Sequence, residues 1–209
     1  LPLSLFPLAQ TWIDSSVTGM LNSGMPVMTL VAGAVLFGVS THRVQVVGVV
    51  VGVLGMLMIG LSTATMGDTG AVGVLLVVLA VSSYGVAANI AGPLQRRYGS
   101  PAVLIRVLGV AAVATTPWGL FGLARSSFTW SAAAANVAVG VGGTGIAYVA
   151  AATLIGRVGP VRMSAVTYVI PVVAAVLGVG VLGEVLGPWE VAGAVVLVAG
   201  AWLTTRAGS

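Results

Sequence analysis

The segment from Gln10 to Met58 recurs without a gap 145 residues later, as Ile155 to Leu203. Pro26 falls on Pro171, Gly33 on Gly178, Gly38 on Gly183, Gly48 on Gly193 and Gly55 on Gly200. Both copies are almost wholly apolar, so matching valines carry little information. Five proline and glycine positions in register carry much more, because these residues dictate backbone shape. A self-similar stretch of this size means that the chain is built from two related units.

The repeat lies in a chain that is 58% hydrophobic and 6% charged, with a mean hydropathy of +1.14. Eight arginines and four acids, with no lysine, are too few to cover the surface of a water-soluble domain of 209 residues. The bilayer is therefore the main solvent. The net charge of +4 does not mark a nucleic-acid binder, because the arginines are scattered through short loops and form no patch. Cysteine is absent, which leaves no disulfide frame and no thiol chemistry. Thirty glycines without a collagen period fit close helix packing in lipid, for which Gly48-x-x-x-Gly52 is one candidate site.

Apolar runs long enough to cross a bilayer, which needs about 20 helical residues, lie near 16–37, 44–65, 71–91, 102–123, 131–154, 163–182 and 189–205. They are separated by polar or turn-forming stretches: Ser40–Arg43, Met66–Gly70, Gln95–Pro101, Arg125–Ser127, Arg157–Arg162 and Gly183–Glu190. The runs do not alternate polar with apolar, so they are helices and not the strands of a closed barrel. The expected fold is an all-α polytopic membrane bundle with about seven full spans. Leu1 falls on Ile146 under the repeat, so residues 71–145 have no counterpart in the first copy. Residues 1–9 read as the tail of a broken span, with Pro2 and Pro7 making a poor helix. The complete architecture is two units of five spans, with 1–65 holding the end of the first and 71–206 the whole second.

Charge supports this count. Successive spans place Arg43, Arg96, Arg97, Arg157, Arg162 and Arg206 on one side, and only Arg125 on the other. The first side is cytoplasmic by the positive-inside rule. Asp14, Asp68, Glu184 and Glu190 all fall opposite. Five spans is an odd number, so equivalent turns of the two copies must face opposite sides. The turn with His42 and Arg43 answers to the one with Glu184 and Glu190, a sign change that an inverted repeat requires. Inverted membrane-helix repeats are the usual trace of a transporter made from two halves.

The residues Thr144-Gly145-Ile146-Ala147-Tyr148, then Ser164 through Pro171, then Gly183-Glu184 with Gly193 and Gly200, resemble the second half of an EamA-type transporter of the drug/metabolite transporter superfamily. Ser15 through Pro26 resembles the fourth helix of its first half. The resemblance implies ten helices in two inverted five-helix repeats, a central cavity, and export or exchange of small metabolites in a bacterial plasma membrane. It names no substrate. The acidic residue after the glycine is Glu184 in one copy and Val39 in the other.

Candidate substrate-binding residues are the polar groups within the spans: Asn22, Tyr84, Asn89, Tyr148, Thr167 and Tyr168, with Arg106 at the cytoplasmic mouth. Lipid exposure would leave them unpaired. Each also has a plainer reading: the asparagines can join two helices, the tyrosines can pack, and Arg106 can snorkel to the interface. Pro26 and Pro171 break the helical ladder at matching positions, as hinges or as fixed kinks. His42 reads as a solvated loop residue and Glu184 as a cap or interface residue. Trp130 and Trp189 read as interface anchors.

An enzyme is not expected. There is no His-Glu-x-x-His, no Gly-x-Ser-x-Gly and no P-loop, and one histidine without cysteine is too little for a usual zinc site. No cofactor or metal is expected. Two readings stand: a secondary, alternating-access transporter for a small organic molecule, or a truncated, non-transporting membrane protein or interaction subunit. Because the first copy lacks its opening helices, residues 1–209 alone are expected not to transport. A second copy of the chain is expected to cover the open flank as a homodimer. The partners are then the lipid bilayer, a small-molecule substrate and this second copy, with no nucleic acid.

The arginine distribution yields a topology prediction. A reporter fused after Ser209 should be active in the cytoplasmic form and silent in the exported form; the opposite pattern would reverse the assignment.

Overall fold

A computed structural model describes residues 2–64, 70–123, 127–150 and 167–206. Asp68, Arg125, Arg157, Arg162, Ser164 and Ser209 lie outside the described residues, as do the first few residues of the run expected near 163–182. The described residues are helical, without strands. In chain order they form α1 (Pro2–Ala9), α2 (Ser15–Asn22), α3 (Met25–Phe37), α4 (Arg43–Ala64), α5 (Gly70–Tyr98), α6 (Ser100–Leu123), α7 (Trp130–Val137), a π-helical segment (Ala138–Ile146), α8 (147–150), α9 (Ile170–Leu182) and α10 (Pro188–Arg206).

Five stretches are long and apolar enough to span a membrane: Arg43–Thr63, Gly70–Tyr98, Ser100–Pro117, Trp130–Ala150 and Pro188–Arg206. The pair α2 and α3, bent by 43° at a short break, makes a sixth. Every apolar run thus carries helix, and the seventh, α9, is described over 13 residues. The chain is an all-α polytopic membrane protein. Two boundaries differ from expectation. The stretch Gln95–Pro101 is not a loop: α5 continues through Pro93 to Tyr98, and the chain turns at Gly99 (φ 82°) straight into α6. Residues 2–8 are helical despite Pro7, and Ala9 at the end of α1 is fully buried.

The chain divides into two compact units, residues 1–90 with 164–209, and residues 91–163. In the first unit the last two helices of the two copies start at the same repeat positions. α3 spans 25–37 and α9 spans 170–182, which are the same positions 145 residues apart. Each begins with proline in its first turn, where the missing N–H breaks no helical bond. Each ends on a left-handed glycine, Gly38 at φ 64° and Gly183 at φ 71°. The next residue turns its N–H back to the helix, Val39 to Gly33 O and Glu184 to Gly178 O, both at 3.0 Å. Pro26 and Pro171 are therefore helix-starting residues, and the 43° bend of the first copy falls just before Pro26, at the break between α2 and α3.

The core of this unit is the seam between α4 and α10, the equivalent last helices of the two copies. A β-carbon added to Gly48 would meet Gly200 O at 2.9 Å, and one added to Gly193 would meet Gly55 O at 2.9 Å. The contact of Gly48 with Gly200 maps onto that of Gly193 with Gly55 under the repeat. It is the self-complementary pattern of a two-fold axis. Residue numbers rise along α4 as they fall along α10, so the helices are antiparallel. Gly52 faces Gly200 and is closed on its other side by Val27, 2.5 Å from an added β-carbon. Ile59 and Leu197, both fully buried, fill the seam beyond the glycines. α2 lies against α9 at Gly19 and Ala174, and Gly85 of α5 meets the backbone of Met28 in α3.

In the second unit, α6, apart from Arg106 and two threonines, and the stretch from α7 to α8 are largely apolar, and most of their large side chains are exposed. Ile105, Val110, Val113 and Phe121 are all more than two-thirds exposed, as expected of helices bathed in lipid. The π segment contains Gly140, Gly142, Gly143 and Gly145, which ease its wider turns.

The seam yields a stability prediction. Gly55→Leu or Gly200→Leu should cost about 2–3 kcal/mol or more, since backbone lies where the side chain would go. Gly109→Ala, with open space around it, should be neutral or slightly stabilising. Unfolding in detergent measures both; equal effects would exclude close packing at the seam.

Candidate functional site

The broken span interrupts the helical ladder inside the first unit. α2 ends at Asn22, and Ser23 and Gly24 turn into α3. Ser23 is fully buried and closes on Met20 O, while the N–H of Gly24 reaches Leu21 O at 3.0 Å. Asn22 sits half-buried at this break, and no hydrogen bond of its amide occurs among the described residues. A half-buried amide beside an interrupted helix is the kind of group that meets a polar solute in membrane transporters.

The other expected residues divide by what they touch. Asn89 donates from Nδ2 to Thr29 O and to Gly85 O, both at 2.9 Å, and so ties α5 to α3. Gly33 makes room for it, since an added β-carbon there would meet Asn89 Oδ1 at 2.9 Å. The Tyr168 hydroxyl pairs with that of Thr205 and lies 3.4 Å from Ala201 O, fixing the entry to α9 against α10. Tyr84 stacks on Phe6 of α1 with ring centroids 6.1 Å apart. Thr167 is half-buried just before Tyr168. In the second unit, Tyr148 is half-buried in α8 just after the π segment. Arg106 is exposed near the start of α6, its Nη1 3.3 Å from Ala102 O, and lines a cleft with Leu94, Tyr98, Val103 and Val107.

The acids do more than the sequence suggests. Glu184 accepts the N–H of Ser15 at 2.8 Å and of Ser16 at 2.9 Å, capping α2 from the turn after α9. Asp14 occupies the cap position itself but makes no capping bond through its side chain. Gly178 permits the arrangement: an added β-carbon would meet both Glu184 and Ser16. Glu190 is not a residue of the loop. It lies in the first turn of α10, is 2% exposed, and accepts the N–H of Gly187 at 2.7 Å, with Thr63 Oγ1 3.5 Å away. Its repeat equivalent, Gln45, does the same for α4, accepting from His42 N at 3.0 Å and donating to Thr204 O at 3.2 Å. Both side chains reach back from the third helical position to the cap residue, half of a capping box. The sequence signal is a Gln or Glu at matching third positions, without the usual Ser or Thr before it.

Burial would push the Glu184 carboxyl up, but hydrogen bonds from Ser16 and Ser15 outweigh it and hold the group below its ordinary range. Asp14 is pushed up, first by burial and then by the charge of Glu184. Glu184 therefore stabilises the fold at neutral pH, and its contribution fades as pH falls below about 4.5 through its folded value. Asp14 acts in the opposite sense: its contribution is present at low pH and is lost as pH rises through its raised value. Melting in detergent should show Glu184→Gln less stable than the parent at pH about 7, with the difference shrinking toward about pH 3. Asp14→Asn should be more stable than the parent at neutral pH. A Glu184→Gln deficit independent of pH would rule out the charged cap.

Residues 69–206, well over half of the chain, match the EamA-like transporter family. No curated protein and no solved structure matches the chain. The matched residues cover α5 through α10 and so take in the whole second copy of the repeat together with the helices before it. With this match and helices that can cross a membrane, the chain belongs to the EamA-like transporter family, membrane transporters of the drug/metabolite type.

Proposed function

We propose that the protein is a secondary transporter that moves a small organic metabolite or drug by alternating access, as an exporter or exchanger. The observation that supports this most directly is the antiparallel, two-fold packing of α4 on α10, equivalent helices of the two copies. Repeats of opposite direction give two conformations of comparable energy, each open to one side, because exchanging the roles of the halves exchanges the sides. Residues 71–206 act as one repeat, and residues 1–65 contribute to the other.

The substrate is met at the break between α2 and α3, where Asn22 supplies a hydrogen-bonding amide. Asn89 and Tyr168, whose polar groups are engaged within the bundle, hold the helices that shape the site. The seam of α4 and α10 is the fixed element about which the rest moves. Ser209 and the arginine-rich turns face the cytoplasm.

Efflux of a panel of small organic compounds from cells expressing the protein with a complete first repeat tests this reading. At least one compound should leave faster than from control cells, and Asn22→Ala should reduce that flux at least tenfold while membrane abundance is unchanged, as expected for loss of a hydrogen bond to a polar substrate. Flux unaffected by Asn22→Ala would remove the break from the pathway. If the protein with a complete first repeat moves no compound, the interaction-subunit reading takes its place.

A further inference from the structure

The corner where α5 turns into α6 has a cleft that the transport reading does not use. Its volume is about 340 Å³, and it is lined by Leu94 and Tyr98 from α5 and by Val103, Arg106 and Val107 from α6. Leu94 and Tyr98 are one helical turn apart, as are Val103 and Val107, so each helix offers one face to the cleft. The walls are apolar except at the guanidinium of Arg106 and the hydroxyl of Tyr98. A second cation stands at the rim: the Arg97 guanidinium lies 5.2 Å from the centre of the Tyr98 ring. Arg96 is exposed on the same last turn of α5. Gly99 is the single non-helical residue between the two helices, so the three arginines and the cleft share one end of both spans.

Charge decides what fits. Residues 91–163 hold six of the eight arginines of the chain and none of its four acids. Of these, Arg96, Arg97 and Arg106 stand at this corner, so the apolar groove lies beside three arginines with no acid in either helix. A soluble organic anion would find one side wall of hydrocarbon and no neutral hydrogen-bonding group beyond a tyrosine hydroxyl. A lipid with a negative headgroup matches both features at once. Its acyl chain fills the groove between Leu94, Val103 and Val107, and its phosphate lies against Arg106 and Arg97 at the end of the helices.

We propose that this corner binds an anionic phospholipid, and that Arg106 is its headgroup ligand and not a substrate residue. The bond of Arg106 to Ala102 O, one turn back toward the start of α6, aims the guanidinium at the headgroup layer. Basic pockets between spans at one membrane face recognise anionic lipid in this way, whereas scattered surface arginines only raise the local lipid charge.

The test places a fluorophore in the cleft. The full chain carrying Val107→Trp is reconstituted in phosphatidylcholine vesicles containing about one third brominated phosphatidylglycerol or, separately, brominated phosphatidylcholine. The quenching added by the new tryptophan, relative to the unchanged chain, should be about fivefold stronger with the anionic lipid, the preference expected from one basic side chain. Adding Arg106→Gln should abolish the preference. Equal quenching by the two lipids, or a preference that survives Arg106→Gln, would overturn the proposal. Loss of the preference on adding millimolar inorganic phosphate would assign the site to a soluble anion instead. If Val107→Trp does not fold, Leu94→Trp probes the opposite wall with the same outcomes. None of these readings depends on transport, so a failure here leaves the proposed transport function to its own test.

Discussion

Lipid removes the force that holds most helices together. A leucine gains nothing by leaving hydrocarbon for another helix, so association in a bilayer rests on how closely two backbones can approach. In this protein that approach occurs along the seam where Gly48, Gly52 and Gly55 of α4 meet Gly193 and Gly200 of α10, and again where Gly85 of α5 meets the backbone of Met28 in α3. Dispersion contacts fall off steeply with distance, so a seam without side chains between backbones gathers many of them per turn. The remaining helices are arranged around it: α3 reaches it through Val27, and α2 through Leu21 and Met20, in one continuous core.

The same solvent forbids unpaired backbone groups, and the ends of helices are where such groups occur. Three side chains answer that need in the first unit. Gln45 caps α4, Glu190 caps α10, and Glu184 caps α2 from a distant turn. Two of the three are carboxylates, held by N–H donors and not by cations, which suits the positive ends of helix dipoles. Val39 stands where the second copy has Glu184, and the first copy places Asn89 of α5 against the equivalent glycine. The two halves thus solve one packing problem with different polar groups.

The sequence made the spans and their pairing legible for a plain reason. Proline and glycine mark backbone events, so the matched Pro26 and Pro171, and Gly38 and Gly183, sit at the same helix starts and stops in both copies. What escaped were features set by partners distant in the chain. Gln95 through Tyr98 looks like a loop by composition, yet Arg96 and Arg97 are ordinary last-turn residues of a helix that overruns its apolar stretch. Glu190 looks like a border residue until α4 covers it. The π segment is foreshadowed only by a crowd of glycines, which elsewhere in the chain signal close packing. Of the polar residues singled out within the spans, Asn89 and Tyr168 join helices, a choice that depends on Thr29 O and Thr205, which no local pattern reveals.

The seam also imposes an order on assembly. Gly48 and Gly193 are 145 residues apart, so the two helices that pack most closely are made at widely separated times. At ordinary rates of synthesis, about 5–20 residues per second, α4 waits in the bilayer for roughly 7–30 s before α10 exists. During that interval its glycine face lies open to lipid, inserted and helical but without its partner. α4 must therefore be stable as a lone span, and its 22 residues of nearly unbroken apolar sequence meet that demand without help from the fold.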